Sequence, residues 1–264
     1  MKTKMFAVIL MAIFTARGYS QTVTDGSTST ETTFSLSKNG KVKIELGKAV
    51  IEGHTGSSVI LSSLDRPRKA DPRAVGLVQV NGLGLPDNTG FGINVSQENG
   101  TMVVRQLDRI DPPNIKILVP EGCMLSYDYQ SPHGSDILLK DLKGEIELST
   151  NHNDVRLENV TGPITLKSIH GDVDAIFGET VRGPISIVSV HGHVDVSLPS
   201  ALSANLKMVT KYGELLLDPD LKIDVERDGK MIRYNNQIGG KLNGGSGTNI
   251  DLRSDHGKIY LRKK

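Results

Sequence analysis

From residue 21 onward, apolar and polar residues alternate in short runs that end at Gly, Pro, Asn or Asp. In Ile164-Thr165-Leu166, and again in Val173-Asp174-Ala175, every second residue is aliphatic. A period of two places alternate side chains on opposite faces of a β-strand, whereas the spacing of an amphipathic helix is almost absent. The pattern therefore predicts an all-β protein made of short strands closed by turns.

The strands belong to an internal repeat. The segment 162–174 (GPITLKSIHGDVD) aligns without gaps on 183–195 (GPISIVSVHGHVD). Weaker copies surround this pair, and the turns of all the copies fall at positions 133, 152, 170, 191, 212 and 256. The last interval, from 212 to 256, is about two repeat lengths. We therefore expect the copy at 256 to continue the same array after the copy at 212. Such a period is typical of stacked repeats.

One copy cannot bury its own apolar side, so Ile164 and Val173 need the equivalent Ile185 and Val194 of the next copy beside them. We therefore expect a single-domain parallel β-helix, or solenoid, with coils of roughly 20 residues. The alternative is an antiparallel β-hairpin meander in which each His-Gly pair is the tight turn. The His-Gly pairs are explained by turns with positive φ, which His tolerates and Gly adopts freely.

The first twenty residues are typical of a secretory signal peptide. Lys2 and Lys4 precede the apolar run Met5–Phe14, and Gly18 stands three residues from the cleavage site expected after Ser20. The apolar run is too short to cross a bilayer as a helix, and no later run is longer, so no membrane span is expected. The protein is therefore expected to be exported, to the periplasm or to the cell surface.

The exported chain is divided into two parts. Residues 21–32, which are rich in Ser and Thr, are expected to form a disordered lead-in. Residues 33–264 are expected to form the β-helix repeat domain, with the clearest repeats in 115–264. Gly82-Leu83-Gly84 is interpreted as a turn, because no helix follows it that could cradle a phosphate.

Charge and cysteine content exclude several classes of function. The formal net charge of +1 includes three basic residues of the expected signal peptide, so the exported chain is close to neutral. It has no basic surface of the kind that binds nucleic acid. Cys123 is the sole cysteine, which excludes an internal disulfide framework and a cysteine-rich metal site.

At the repeats, the sequence resembles the bacterial putative-adhesin family of β-strand repeats, a family of undefined biochemical function. The resemblance rests on the strand 115–125 (IKILVPEGCML), on the repeated Ser-x-His-Gly-Asp-Val element and on 255–261 (DHGKIYL). His stands here where the family more commonly has Asn. The resemblance implies a parallel β-helix, export and a role at the envelope or surface, and it supplies no catalytic residues.

The clustered histidines are the first candidate site. If the turns are in line, His152, His170 and His191 form a column of imidazoles, which are common ligands of zinc and copper. Imidazoles about 4.8 Å apart suit a ladder along parallel strands better than a shell around one ion. We therefore interpret them as turn residues and expect neither a metal nor a cofactor.

Acidic and aromatic residues supply the carbohydrate-related candidates. Asp172, Asp174 and Asp195, with Asp154 one coil earlier, could form the paired carboxylates of a glycoside hydrolase or lyase. Asp174 and Asp195 alternate with valines, however, as solvent-facing strand positions do. Tyr127 and Tyr129 share one strand face and form the single candidate platform for a sugar.

These observations favour a non-enzymatic exported envelope or surface protein with a structural, adhesive or partner-binding role. Its partner would be an unknown envelope or surface protein or glycan. The alternative is a carbohydrate-active β-helix enzyme, a polysaccharide lyase or hydrolase, or a carbohydrate-binding module. An enzyme requires Asp172, Asp174 and Asp195 to converge in a groove, which separates the two hypotheses.

Overall fold

The computed structural model describes residues 31–37, 40–65, 71–226, 236–245 and 247–264. The expected signal peptide and residues 21–30 of the lead-in lie outside this part of the chain. The first strand begins at Glu31, two residues before the expected start of the repeat domain. No helix in the described ranges is long and apolar enough to cross a membrane.

The described residues form strands and a single 3₁₀ turn at Pro72–Ala74. The first strands are β1 (Glu31–Ser35), β2 (Lys41–Glu45), β3 (Ala49–His54), β4 (Ser58–Ser63), β5 (Ile93–Glu98), β6 (Thr101–Gln106) and β7 (Ile115–Pro120). They are followed by β8 (Met124–Tyr129), β9 (Ile137–Lys140), β10 (Ile146–Thr150), β11 (Val155–Val160), β12 (Ile164–Ser168), β13 (Val173–Phe177) and β14 (Ile185–Ser189). The last are β15 (Val194–Leu198), β16 (Ala204–Thr210), β17 (Leu215–Leu217), β18 (Ile223–Glu226), β19 (Asn236–Leu242), β20 (Asn249–Ser254) and β21 (Ile259–Lys263).

The strands form two large sheets that enclose one aliphatic core. The ten-stranded sheet has the order β1-β4-β7-β3-β9-β11-β13-β15-β21-β17. The eleven-stranded sheet has the order β18-β19-β16-β20-β14-β12-β10-β8-β2-β6-β5. Each coil of the repeat contributes one strand to each sheet, and the His-Gly turn connects the two.

Successive repeats pair in parallel and in the expected register. Ile164 lies opposite Ile185, and Val173 lies opposite Val194. The hairpin alternative is wrong for these repeats, because β12 and β13, which the His-Gly turn connects, belong to different sheets. The prediction of an all-β fold and of stacked copies is confirmed.

The sheets are mixed, because antiparallel strands cover both ends of the parallel stack. At one end β4 pairs antiparallel with β7, β1 with β4, and β5 with β6. At the other end β19 pairs antiparallel with β16, and β18 with β19. Such strands occupy the backbone groups of the terminal coils, which would otherwise form open edges.

The coils are not stacked in the order of the sequence. The last coil, β20 and β21, is inserted between the coil of β14 and β15 and the coil of β16 and β17. The expectation that the copy at 256 follows the copy at 212 is therefore wrong. The first coil, β2 and β3, is likewise enclosed by the coil of β6 and β7 and that of β8 and β9. Both terminal coils thereby gain neighbours on two sides.

The core contains the inward-facing member of each alternating pair. Most of these side chains are Ile, Val and Leu, and Phe177 and Tyr127 are the largest that are fully buried. Tyr127 and Tyr129 do share one face, but it is the core face, so this candidate pair is not available as a platform for a sugar. The Tyr127 hydroxyl donates to the carbonyl of Leu46, and Gln106 donates to the Tyr129 hydroxyl.

A column of buried hydroxyls holds the turns together. The Ser189 hydroxyl accepts from the N–H of Gly192 at 3.0 Å and donates to the carbonyl of Gly171 in the neighbouring coil at 2.9 Å. Ser254 and Thr210 make the same two bonds in their own coils. In these three coils the Ser or Thr therefore connects its own turn to the turn of the neighbouring coil.

The glycine of the turn is required by close packing and not by its φ angle. A Cβ atom on Gly192 would lie 2.2 Å from the carbonyl oxygen of Gly171, and one on Gly171 would lie 1.7 Å from that of Asn153. Neither these glycines nor the histidines before them have positive φ. The expectation that the turns need positive φ is wrong, because the constraint comes from the adjacent coil.

The hydroxyl column is interrupted at one coil, where Asn153 takes the glycine position. Its side-chain NH2 group donates to the carbonyls of Gly47 and Ser135, at 2.6 and 2.7 Å. Its Oδ1 atom and the hydroxyl of Thr150 are both buried without a hydrogen-bond partner. Thr150 thus occupies the repeat position of Ser189 without making the bonds of Ser189.

Candidate functional site

The turns present a column of stacked aromatic rings on one edge of the protein. Ring centroids are 4.6 Å apart for His152 and His170, and 4.8 Å apart both for His170 and His191 and for His191 and His256. Tyr212 closes the column at 4.9 Å from His256. The spacing is that of hydrogen-bonded strands, so the coil register imposes it. We call these five residues the ring column.

The ring column has the geometry of the ladder expected for His152, His170 and His191, extended by a tyrosine. Among the described residues, no group of three or more His, Cys, Asp or Glu is arranged to hold a metal ion. The three other histidines, His54, His133 and His193, are not part of the column. His54 Nε2 lies 2.8 Å from the carbonyl of Ser58, and His193 lies between two aspartates.

The electrostatics of the ring column favour a neutral imidazole at His170. Partial desolvation, followed by repulsion from His152 and His191, lowers the pKa of His170 from the ordinary value of 6.5. Beside the column, hydrogen bonds from Arg253 and Lys211 hold the pKa of Asp255 at about 2. That carboxylate therefore stays charged over the range in which imidazoles titrate.

The lowered pKa predicts a stability that depends on pH. Because the unfolded chain binds the His170 proton more tightly, stability falls as the pH drops through 6.5 and stops changing below the folded pKa. In an NMR titration, the His170 midpoint should lie below 6.5 and rise when His152 and His191 are both replaced by Gln. An unchanged midpoint in that double variant would contradict the repulsion between rings.

The acidic candidates do not converge in a cleft. Asp172 and Asp174 both contact His193, whose Nδ1 lies 3.1 Å from Asp172 Oδ1 and whose Nε2 lies 2.9 Å from Asp174 Oδ1. Asp195 instead pairs with Arg262, which donates from Nε and from an NH2 group. Each carboxylate therefore has its own side-chain contact, with His193 or with Arg262, on an outward sheet face.

A cleft of about 850 Å³ lies elsewhere, between the ends of β6 and β8 and the loop at 81–83. Its walls include Arg109, Asp128 and the ion pair between Glu45 and Arg105. Although burial alone would raise it, hydrogen bonds from Arg105 and Lys43 hold the pKa of Glu45 below its ordinary value. Glu45 is thus not poised as a proton donor near neutral pH.

Cys123 lies beside a second, smaller cleft. The side chain is almost fully buried, and burial raises the pKa of its thiol to about 11. A thiol with such a pKa stays protonated at neutral pH and is a poor nucleophile. The structure agrees with the interpretation of Cys123 as a small packed residue.

Sequence reasoning did not find an exposed apolar loop that precedes β5. In residues 74–86, Val75, Leu77, Val78 and Leu83 are between 61 and 79% exposed. This segment, which we call the apolar arm, contains no charged residue. Cβ atoms added to Gly76, Gly82 or Gly84 would meet nothing within 4 Å, so the arm projects into solvent. The available signal was its uncharged, valine- and leucine-rich composition.

The comparison with protein families identifies the repeat. The family model Toastrack DUF4097 matches residues 135–262. This part of the chain is similar to Toastrack domains. The resemblance to a family of adhesin-like repeats of undefined function is thereby confirmed over the matched residues. The matched residues include the whole ring column and the three aspartates, whereas the apolar arm lies before them.

Solved structures of low identity resemble the chain. A "putative cell adhesion protein" from Clostridium sporogenes is 12% identical, with a TM-score of 0.45, and the match covers 89% of this chain and 99% of that one. A "putative adhesin" from Bacteroides fragilis is also 12% identical, with a TM-score of 0.34, and the match covers 89% of this chain and 96% of the other. No curated protein is significantly similar to the chain.

Proposed function

We propose that this protein is a non-enzymatic, exported protein of the cell envelope or surface that acts by binding a partner. In this proposal the coils are one largely parallel β-helix that serves as a rigid body, and contacts are made by its exposed surfaces. The observation that carries the proposal is how the side chains of Asp172, Asp174 and Asp195 are paired. Each carboxylate is paired with a cation or an imidazole, and they do not share a groove.

This arrangement disfavours the carbohydrate-active alternative. A pair of catalytic carboxyls must flank the scissile bond, and one of them needs a raised pKa to act as an acid. Both carboxylate oxygens of Asp195 accept hydrogen bonds from the Arg262 guanidinium, as a bidentate pair. Asp174 and Asp195 are register partners on an outward strand face, as solvated positions are.

Two measurements on one protein preparation test the proposal. Purified residues 21–264, the expected mature chain, should be retained by the envelope fraction of the producing organism and should release no reducing ends from envelope polysaccharides. The matched variant Asp172→Asn/Asp174→Asn/Asp195→Asn should behave like the parent in both assays. Polysaccharide cleavage that disappears in this variant, without retention on the envelope, would overturn the proposal.

A further inference from the structure

The cleft between the ends of β6 and β8 contains two charged side chains that lack an ion-pair partner. The guanidinium of Arg109 makes no hydrogen bond or ion pair within the part of the chain that the structure describes. The carboxylate of Asp128 accepts from Gln130 Nε2 at 2.8 Å, and no cation in the described ranges pairs with it. Because Arg109 and Asp128 do not pair with each other either, the cleft holds one separated positive and one separated negative charge.

The other charged groups in the walls of the cleft already have partners. Glu45 pairs with Arg105, and Lys43 Nζ lies 2.7 Å from the second carboxylate oxygen of Glu45. Arg105 also donates to Glu98 at 3.1 Å. This group of two acids and two bases satisfies itself. A charged ligand in the cleft would therefore meet Arg109 and Asp128 as the groups that are open to it.

Two buried polar side chains fix the backbone that carries Arg109. The Tyr129 hydroxyl donates to the Arg109 carbonyl at 3.3 Å, and Gln106 Nε2 donates to the Asp108 carbonyl at 2.7 Å and to the Tyr129 hydroxyl at 3.2 Å. Gln106 and Tyr129 are only 5 and 6% exposed. The Asp108 carboxylate accepts from the N–H of Ile110 at 2.8 Å, so it closes the turn and does not pair with Arg109. Arg109 is thus presented from a fixed turn.

The remaining walls of the cleft are also held in place. Gln130 Nε2 bonds Asp128 Oδ1 and the Ser149 hydroxyl of the neighbouring coil, at 2.8 and 3.1 Å. In the loop at 81–83, the Asn81 side-chain oxygen accepts from the N–H of Leu83 at 3.0 Å. A ligand would therefore meet a largely preformed site, in which little further ordering opposes binding.

The cleft has the size and the lining of a site for a small ligand. Its volume of about 850 Å³ lies within the range of about 300 to 1,000 Å³ that is common for such sites. Leu83, Leu107 and Pro132 supply apolar surface, and the amides of Asn81 and Gln130 supply donors and acceptors. No exposed aromatic ring among the described residues of the cleft offers a platform for a sugar. The lining suits small apolar groups joined by amides.

We propose that this cleft binds a short zwitterionic peptide, with a carboxylate of the peptide against Arg109 and an ammonium group against Asp128. A guanidinium can donate two parallel hydrogen bonds to a carboxylate. Charges in a cleft act more strongly on a ligand than the same charges on an open surface, because the walls exclude water. The inference rests on the proposed function and deepens it, since it names the chemical class of the partner and the place where it binds.

Calorimetric titration of residues 21–264 with alanine peptides tests the site. Peptides of two, three and four residues are each used with free termini, with an amidated carboxyl end and with an acetylated amino end. At least one peptide with free termini should bind with a Kd of about 1 mM or lower. Its amidated and acetylated forms should bind about tenfold more weakly, because each has lost one charge-assisted contact.

Two variants assign the ends of the peptide. Arg109→Gln should bind the free and the amidated peptide equally and still discriminate against the acetylated one. Asp128→Asn should show the reverse, with equal binding of the free and the acetylated peptide. Arg156→Gln is the matched control, because Arg156 pairs with Glu158 on an outward strand outside the cleft. It should keep both preferences of the parent chain.

Three outcomes would overturn the inference. They are no binding of any of the peptides, equal binding of the free, amidated and acetylated forms by the parent chain, and variants that keep both preferences. Retention on the envelope fraction together with absent peptide binding would reject the peptide site and leave the proposed function standing. Peptide binding with the expected preferences, but without retention on the envelope, would support the site and reject the proposed function.

Discussion

Replacing Gly192 by alanine is expected to destabilise the protein by about 3 kcal/mol or more, the upper end of the cost of overpacking. The new Cβ would lie 2.2 Å from the carbonyl oxygen of Gly171 and 2.8 Å from the backbone nitrogen of Asp172. Both atoms belong to the backbone of the neighbouring coil, which hydrogen bonds to Ser189 hold in place. The coils must therefore separate, and urea unfolding should show a much lower midpoint.

Gly122 provides the matched control. A Cβ there would meet nothing within 4 Å, and its φ is not in the left-handed region. Gly122→Ala should change stability by less than about 1 kcal/mol, with a small gain from the less flexible unfolded chain. If Gly192→Ala lost no more than this control, the close approach of the turns would not be a structural constraint.

The second large effect is expected from two threonines at equivalent positions of the repeat. Thr210→Val should cost about 2 kcal/mol, because a partly buried N–H and a partly buried carbonyl each lose their partner. These groups belong to Gly213 and Gly257, which contact the Thr210 hydroxyl at 3.0 and 3.1 Å. Thr150→Val should be neutral or stabilising, because its hydroxyl is buried without a partner.

Urea unfolding of both variants distinguishes the hydrogen bonds from the general effect of the substitution. The two changes remove the same atoms and add the same methyl group, so packing terms largely cancel in the difference. Equal losses of stability would mean that the hydroxyl column contributes little. A loss confined to Thr210→Val would assign the contribution to the bonds between turns.

The functional candidates show where sequence reasoning succeeds and where it stops. The column of His152, His170 and His191 could be predicted because residues one repeat apart in the sequence become neighbours in parallel coils. The partners of Asp195 could not be inferred, because Arg262 lies 67 residues away in a coil inserted out of order. Tyr127 and Tyr129 stayed a candidate because alternation identifies which residues share a face without showing which face is buried.

The apolar arm could not be identified from the sequence for a related reason. Glycines and valines in 74–86 are compatible with a turn, a buried loop or an exposed projection. Only the absence of any neighbour around Gly76, Gly82 and Gly84 shows that it projects. Exposure is a property of the assembled surface, and no local pattern in the chain encodes it.

The sequence by itself determined the all-β class, the repeat and the register of neighbouring copies. The alternation of side chains and the length of the repeat are enough to specify which residues of adjacent coils lie opposite each other. Tertiary structure decided the order of the coils. Ile250 and Leu252 of β20 occupy the place beside β14 that Leu206 and Met208 of β16 could equally have filled. Both strands offer the same aliphatic pattern, so the choice depends on the rest of the fold, in which β19 and then β18 cover the outer edge of β16.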